Sequence, residues 1–272
     1  MSILTDPTTP PVRQTSGSLQ IKRTGARRPG LVPNEIVVFL EGGCGDTINL
    51  MEQMAINLDV LLSNRVPELG PTQVHHLPLK TRLFKAASML LARIAPHDVF
   101  ARVSAESDTV RAVGAIAVGV CADLPSSARL QLLGPFADDE HFGVREWAWI
   151  GLREREGEAL FELVDGLRTW ASSGSPNLRR FAIEVSRPRG VWCRHLEGIK
   201  EDPEPARRLL DQLMTDSSPY VQKSVGNWLN DARWTRPDWV EDFCDNWLFR
   251  SDISETRAIC RRALRRDQRS PS

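Results

Sequence analysis

Three carboxylates stand at related places in the chain: Glu146 in "VREWA", Glu184 in "LRRFAIEV" and Asp231 in "VGNWLND". Each follows an apolar residue (Val144, Leu178, Val221) that opens a helical period. With that residue at zero and about 100° per helical residue, Glu146 falls near ~200°, Glu184 near ~240° and Asp231 near ~280°. The acids therefore share one flank of equivalent helices. Carboxylates gathered in a low-dielectric groove stabilise positive charge developing on a substrate and can orient a water. Arg180 and Arg187 lie one turn either side of Glu184; Asn227 lies one turn before Asp231, with Asn230 beside it. Taken singly, each acid is better read as half of a solvated i,i+4 ion pair.

Aromatic residues accompany the acids. There are eight tryptophans against one tyrosine. Trp147 and Trp228 fall on apolar faces, where packing is their use; Trp149 does not, and Trp192 follows a helix break at "RPRG". Trp234 comes three residues after Asp231. An aromatic beside a carboxylate suits a cationic or flat ligand, because π faces attract cations and stack on bases.

The elements that must position these residues form a repeat. "SDTVRAVG", "HFGVREWA", "SPNLRRFA" and "SPYVQKSV" align with apolar fourth residues at intervals of 34, 34 and 43, and "SETRAICR" is a weaker fifth copy. That period is the length of a helical hairpin. Ser175 and Ser218 are placed to cap, with Pro176 and Pro219 at the first helical position, where no amide hydrogen is needed. Amphipathic stretches such as "EPARRLLDQLM" and "DWVEDFCDNWL" lie between copies, and strand signals are nearly absent. The expected fold is an all-α, HEAT-like helical-repeat solenoid, an α-α superhelix curved around a concave groove. Five or six helix pairs are expected from near Leu79 to near Arg266, with "INLMEQMAINLDVLL" as one capping helix. The division is a disordered arm over 1–40, a capping helix and linker over 41–75, the repeat domain over 76–268 and a tail over 269–272.

Thirty-five basic and 35 acidic side chains cancel, so net charge argues neither for nor against nucleic acid. Only five of the basic residues are lysines. Five scattered cysteines without metal spacing read as buried thiols of a reducing compartment. His75 and His76 are adjacent and lack a third ligand, "EGGCG" lacks the lysine of a phosphate loop, and His195 is poorly placed to activate Cys193. No metal or cofactor is expected. The longest apolar run, Val113 to Ala122, is too short to span a bilayer, so a cytoplasmic protein with no membrane partner is expected.

The stretch "REWAWIGLR … LRRFAIEVSRPRGVWC … YVQKSVGNWLNDA" resembles the DNA alkylation repair family of HEAT-like repeat glycosylases, the AlkC/AlkD type, and more the AlkC branch. The resemblance runs from about Phe142 to Arg265 and does not reach the first 75 residues. It implies a monofunctional glycosylase acting on duplex DNA without metal or deep base flipping. The implied substrates are cationic bases: N3- or N7-alkylpurines, with N3-methylcytosine and N1-methyladenine in the same class. It further implies that Asp231, Glu184 and Glu146 are the active-site acids and Trp192 an aromatic beside them.

On this basis Asp231 is expected to be the principal catalytic carboxylate, with Glu184 and Glu146 adding negative potential and Trp192 and Trp149 lying against the lesion. Arg180, Arg187, Arg189, Lys223, Arg262 and Arg265 are expected on DNA phosphates, Asn227 and Asn230 in support, and the protein as a monomer. A DNA-binding module without catalysis and a protein-interaction solenoid are the alternatives. The first differs by indifference to Asp231, the second by lacking salt-sensitive DNA binding.

Overall fold

The computed structural model describes residues 23–104, 107–157, 160–190 and 192–265. These hold fifteen α-helices and no strand, as the repeat requires. In order they are α1 (Asn34–Glu41), α2 (Leu50–Ala55), α3 (Leu58–Arg65), α4 (Leu79–Leu91), α5 (Val99–Val103), α6 (Asp108–Val120), α7 (Ser126–Ala137), α8 (Phe142–Glu156), α9 (Leu160–Ala171), α10 (Pro176–Val185), α11 (Glu197–Glu201), α12 (Arg207–Asp211), α13 (Pro219–Arg233), α14 (Pro237–Arg250) and α15 (Ser254–Ala263).

Two layers result. Helices α4, α6, α8, α10, α13 and α15 lie side by side, each against the next. Behind them α5 and α7 pack on α6, α9 on α10, and α14 on α13 and α15. The five copies of the repeat opening start α6, α8, α10, α13 and α15, so every copy lies in the first layer. The core between the layers includes Val110, Val144, Phe181, Val221, Trp228 and Trp247. Where α6 meets α8 the backbones nearly touch: a Cβ added to Gly119 would lie 2.7 Å from the Gly151 carbonyl carbon.

The residue after each apolar fourth position secures the stack. Arg145 donates to the carbonyls of Asp139 (2.6 Å) and Glu140 (2.8 Å), Arg179 to those of Ser173 and Gly174, and Gln222 to that of Asp216 (2.8 Å). Arg111 and Arg179 also grip the carboxylates of Asp139 and Asp216 in the loop that opens a later helix. Each clamp orients the loop that delivers a first-layer helix.

Capping differs between copies. The Ser175 hydroxyl accepts from the Asn177 amide at 3.2 Å, as expected. Ser218 accepts none; instead its own amide donates to Asp216 Oδ1 at 2.8 Å, because Arg179 already holds that carboxylate beside the turn. The single capping helix expected from Ile48 to Leu62 is two helices, α2 and α3. Asn57 ends the run by accepting from the Asp59 amide, which starts a new helix. The arm expected over 1–40 is helical from Asn34, with Ile36 and Leu40 buried; its first 22 residues, like the tail and Arg266, lie outside the described residues. No helix among those described is long and apolar enough to cross a membrane.

Candidate active site

Glu146 on α8, Glu184 on α10 and Asp231 on α13 come from three successive first-layer helices, and the stack brings their flanks together. Two arginines link them into a ladder of alternating charge. Arg180 reaches Glu146 at 2.6 Å and Glu184 at 3.4 Å; Arg187 reaches Glu184 at 3.1 Å and Asp231 at 2.8 Å. Three acids and two arginines leave the ladder with one net negative charge.

Burial grades along it. Glu184, in the middle, is 3% exposed and receives the Ser224 hydroxyl at 2.6 Å. Glu146 is the most open and receives the Trp149 indole N–H at 3.0 Å. Burial raises the Asp231 carboxyl above the ordinary aspartate value, and the Arg187 guanidinium only partly offsets it. Burial also works against charge on Arg180 and Arg187, but the carboxylates around them outweigh it and their pKa values rise.

Beside the ladder lies a cleft of about 150 Å³, lined by Glu146, Trp149, Arg180, Glu184, Arg187, Arg189, Gly190, Tyr220, Lys223, Ser224 and Asn227. The guanidiniums of Arg180 (4.6 Å) and Arg145 (5.5 Å) both lie over the Tyr220 ring. Arg189 lies over the half-exposed Trp234 ring at 4.9 Å, and Lys223 is exposed. Among the described residues no carboxylate pairs with either cation.

Several expected roles change. Arg180 and Arg187, expected on phosphates, are engaged by the acids and balance their negative charge. Trp149 is 4% exposed although the helical clock turned it from the core, because a helix inside the stack is covered on both flanks as well as behind. It reaches the cleft as the donor to Glu146. Asn230 is buried and donates to the carbonyls of Ala263 (2.8 Å) and Arg265 (3.2 Å), tying α13 to the end of α15; one residue before Asp231, it points to a different neighbour. Arg262 runs across Gly226 to the Asn227 side-chain oxygen at 3.4 Å, and Arg265 is exposed; neither lines the cleft.

Trp192 does not line the cleft either. It follows Gly190 by two residues, is 44% exposed and meets Trp147 edge-on at 6.2 Å. The loop bearing it is held by Arg153, a buried cation on α8 that donates to the carbonyls of Arg187 (2.6 Å) and Arg194 (2.8 Å). Burial lowers the Arg153 pKa, since its partners there are carbonyls.

Sequence reasoning missed Ser224, Tyr220 and Arg153. Ser224 was within reach: three residues past Val221, it falls near ~300° on the helical clock, beside Asp231. Arg153 carries no such signal, because its partners belong to a loop with no periodicity. Among the described residues no group of three His, Cys, Asp or Glu side chains is arranged to hold a metal.

With this geometry in hand, residues 158–266 match the family described as DNA alkylation repair enzyme. That segment resembles the DNA alkylation repair family. The matched segment contains Glu184, Arg187, Trp192 and Asp231 and begins after Glu146. The uncharacterized protein YhaZ of Bacillus subtilis (strain 168) is 38% identical over 86 residues, 32% of this chain and 24% of that protein.

Among solved structures, the chain resembles Pseudomonas fluorescens alkylpurine DNA glycosylase AlkC bound to DNA containing an abasic site analog. The TM-score is 0.59 at 23% identity, covering 85% of this chain and 61% of that one. The structure of smu.31 from Streptococcus mutans UA159 matches with TM-score 0.54 at 23% identity, over 68% of this chain and 91% of that one. At such identity these two likenesses speak to the fold, a HEAT-like helical repeat.

Proposed function

We propose that the protein is a DNA glycosylase that hydrolyses the N-glycosidic bond of cationic alkylated bases, with alkylpurines in duplex DNA as its substrates. The observation that carries this reading is the convergence of three acids, Glu146 and Glu184 lining an open cleft and Asp231 joined to them through Arg187 just outside its lining, in a chain whose residues 158–266 match a family of alkylation repair enzymes. Alkylation at a ring nitrogen makes the base a cation and a good leaving group. As the C1′–N bond breaks, its electron pair neutralises the base and positive charge moves to the sugar. A ladder with net negative charge stabilises that sugar more than the ground state, which lowers the barrier. Water then adds to C1′, an acid of the ladder takes its proton, and an abasic site and a neutral base remain.

Asp231 is the principal carboxylate in this scheme: it ends the ladder on α13, and its burial raises its pKa towards the range of a proton acceptor. Glu184 and Glu146 add negative potential. Arg189 and Lys223, cleft cations that form no ion pair among the described residues, take flanking phosphates. Trp192, outside the cleft lining but exposed two residues beyond its wall at Gly190, lies against the lesion nucleotide.

The test incubates the protein and Asp231→Asn with methylated duplex DNA and identifies released bases by mass spectrometry. Release by wild type and its loss in the variant, with binding retained, are expected. Binding without release by wild type overturns the proposal. That outcome supports the second reading, a non-catalytic DNA-binding module, which draws on the pairing of all three acids with arginine.

A further inference from the structure

Trp192 has φ +71°, the left-handed region that side chains with a Cβ rarely adopt. Such a conformation persists only where the surroundings over-determine it. Two cations from helices outside the loop do so here. Arg153 holds the carbonyls of Arg187 and Arg194 on either side, and Lys80, from the first turn of α4, donates to the Trp192 carbonyl itself at 2.6 Å. Lys80 is aimed by Glu154 of α8, 2.6 Å from its Nζ, and lies 5.5 Å from the Phe84 ring centre.

The lysine is 112 residues from the tryptophan in sequence and precedes the segment matched by the family. It is not among the residues lining the cleft. Its link to the site runs through one peptide carbonyl, that of the half-exposed Trp192, two residues from the cleft wall at Gly190.

We propose that Lys80 is a positioning residue for Trp192: with Glu154 behind it, it locks the left-handed backbone that presents the indole to the lesion nucleotide. The presentation to the lesion rests on the glycosylase reading; the locking of the backbone does not. An ammonium suits the task, because a charged donor to an exposed carbonyl is stronger than a neutral one.

Two measurements separate these parts. The full chain is labelled with 5-fluorotryptophan, and the Trp192 fluorine resonance is assigned by Trp192→Phe. Lys80→Met is expected to shift and broaden that resonance while the others hold, and Lys80→Arg to restore it. An unchanged Trp192 resonance in Lys80→Met overturns the proposal whether or not the protein is active. Excision is then compared by a double-mutant cycle. Lys80→Met is expected to lower kcat about tenfold, and Lys80→Met with Trp192→Ala to be no slower than Trp192→Ala alone. Losses that multiply overturn the route through Trp192. Absence of release by wild type, together with the fluorine shift, overturns the glycosylase reading and leaves the locking role established.

Discussion

Two charge networks occupy neighbouring parts of the first layer, and they differ chiefly in what lies on their open side. At the N-terminal end Arg111 of α6, 1% exposed, bridges Asp139 (2.8 Å) and Asp46 (3.1 Å). Beside it Asp108, fully buried, accepts from the Thr47 amide and hydroxyl and faces His141 at 3.3 Å. Further along, the ladder from Glu146 to Asp231 uses the same residue types and similar distances, yet it borders a cleft. Carboxylates and arginines at hydrogen-bond range therefore do not by themselves mark a site. The first network joins the 42–49 loop to α6 and the turn before α8, and none of its residues lines the cleft. In the second, one flank is left free.

Breaking the two networks separates them. Asp139→Asn removes the better-buried partner of Arg111 and is expected to cost about 3 kcal/mol, because an undercompensated buried charge remains. A fall in the urea midpoint checks this, with the excision rate per folded molecule unchanged. If Asp139→Asn instead lowers the rate at full stability, the contrast between the networks collapses.

Asp231→Asn should do the reverse. Removing the carboxylate is expected to lower kcat at least about 10²-fold, the scale of one lost preorganised electrostatic contact. Stability should hold or rise. The folded-state pKa of Asp231 is raised by burial, so the folded protein holds that proton more tightly than the unfolded chain. The Asp231 contribution to stability therefore falls as pH rises from the unfolded pKa through the raised folded one. The variant loses that dependence, which parallel unfolding curves across pH measure. By the same sign the acid limb of the wild-type pH–rate profile lies above the ordinary aspartate range.

Ser224→Ala sharpens the comparison within the ladder. Glu184 loses a buried hydroxyl donor while keeping both arginines, and a rate decrease of about tenfold is expected. The smallest effect belongs to Lys223→Ala. As a phosphate contact it should weaken binding evenly across sequences and reduce the salt slope by about 1. A slope that does not change removes Lys223 from the interface.

The chain by itself determined much of this arrangement. The all-α class, the first-layer helices and the shared flank of Glu146, Glu184 and Asp231 were legible, because helical rotation is local: a cap and an apolar residue set the phase, and each later side chain follows about 100° per residue. What the acids touch was not legible. That Arg180 and Arg187 neutralise them, that Trp149 is buried, that Asn230 faces α15 and that Arg153 and Lys80 hold the Trp192 loop all depend on how neighbouring helices and loops approach. Periodicity gives the direction of a side chain from its own axis; only packing between helices decides what stands in that direction, and so only the tertiary structure separates the buried Arg111 network from the acids beside a cleft.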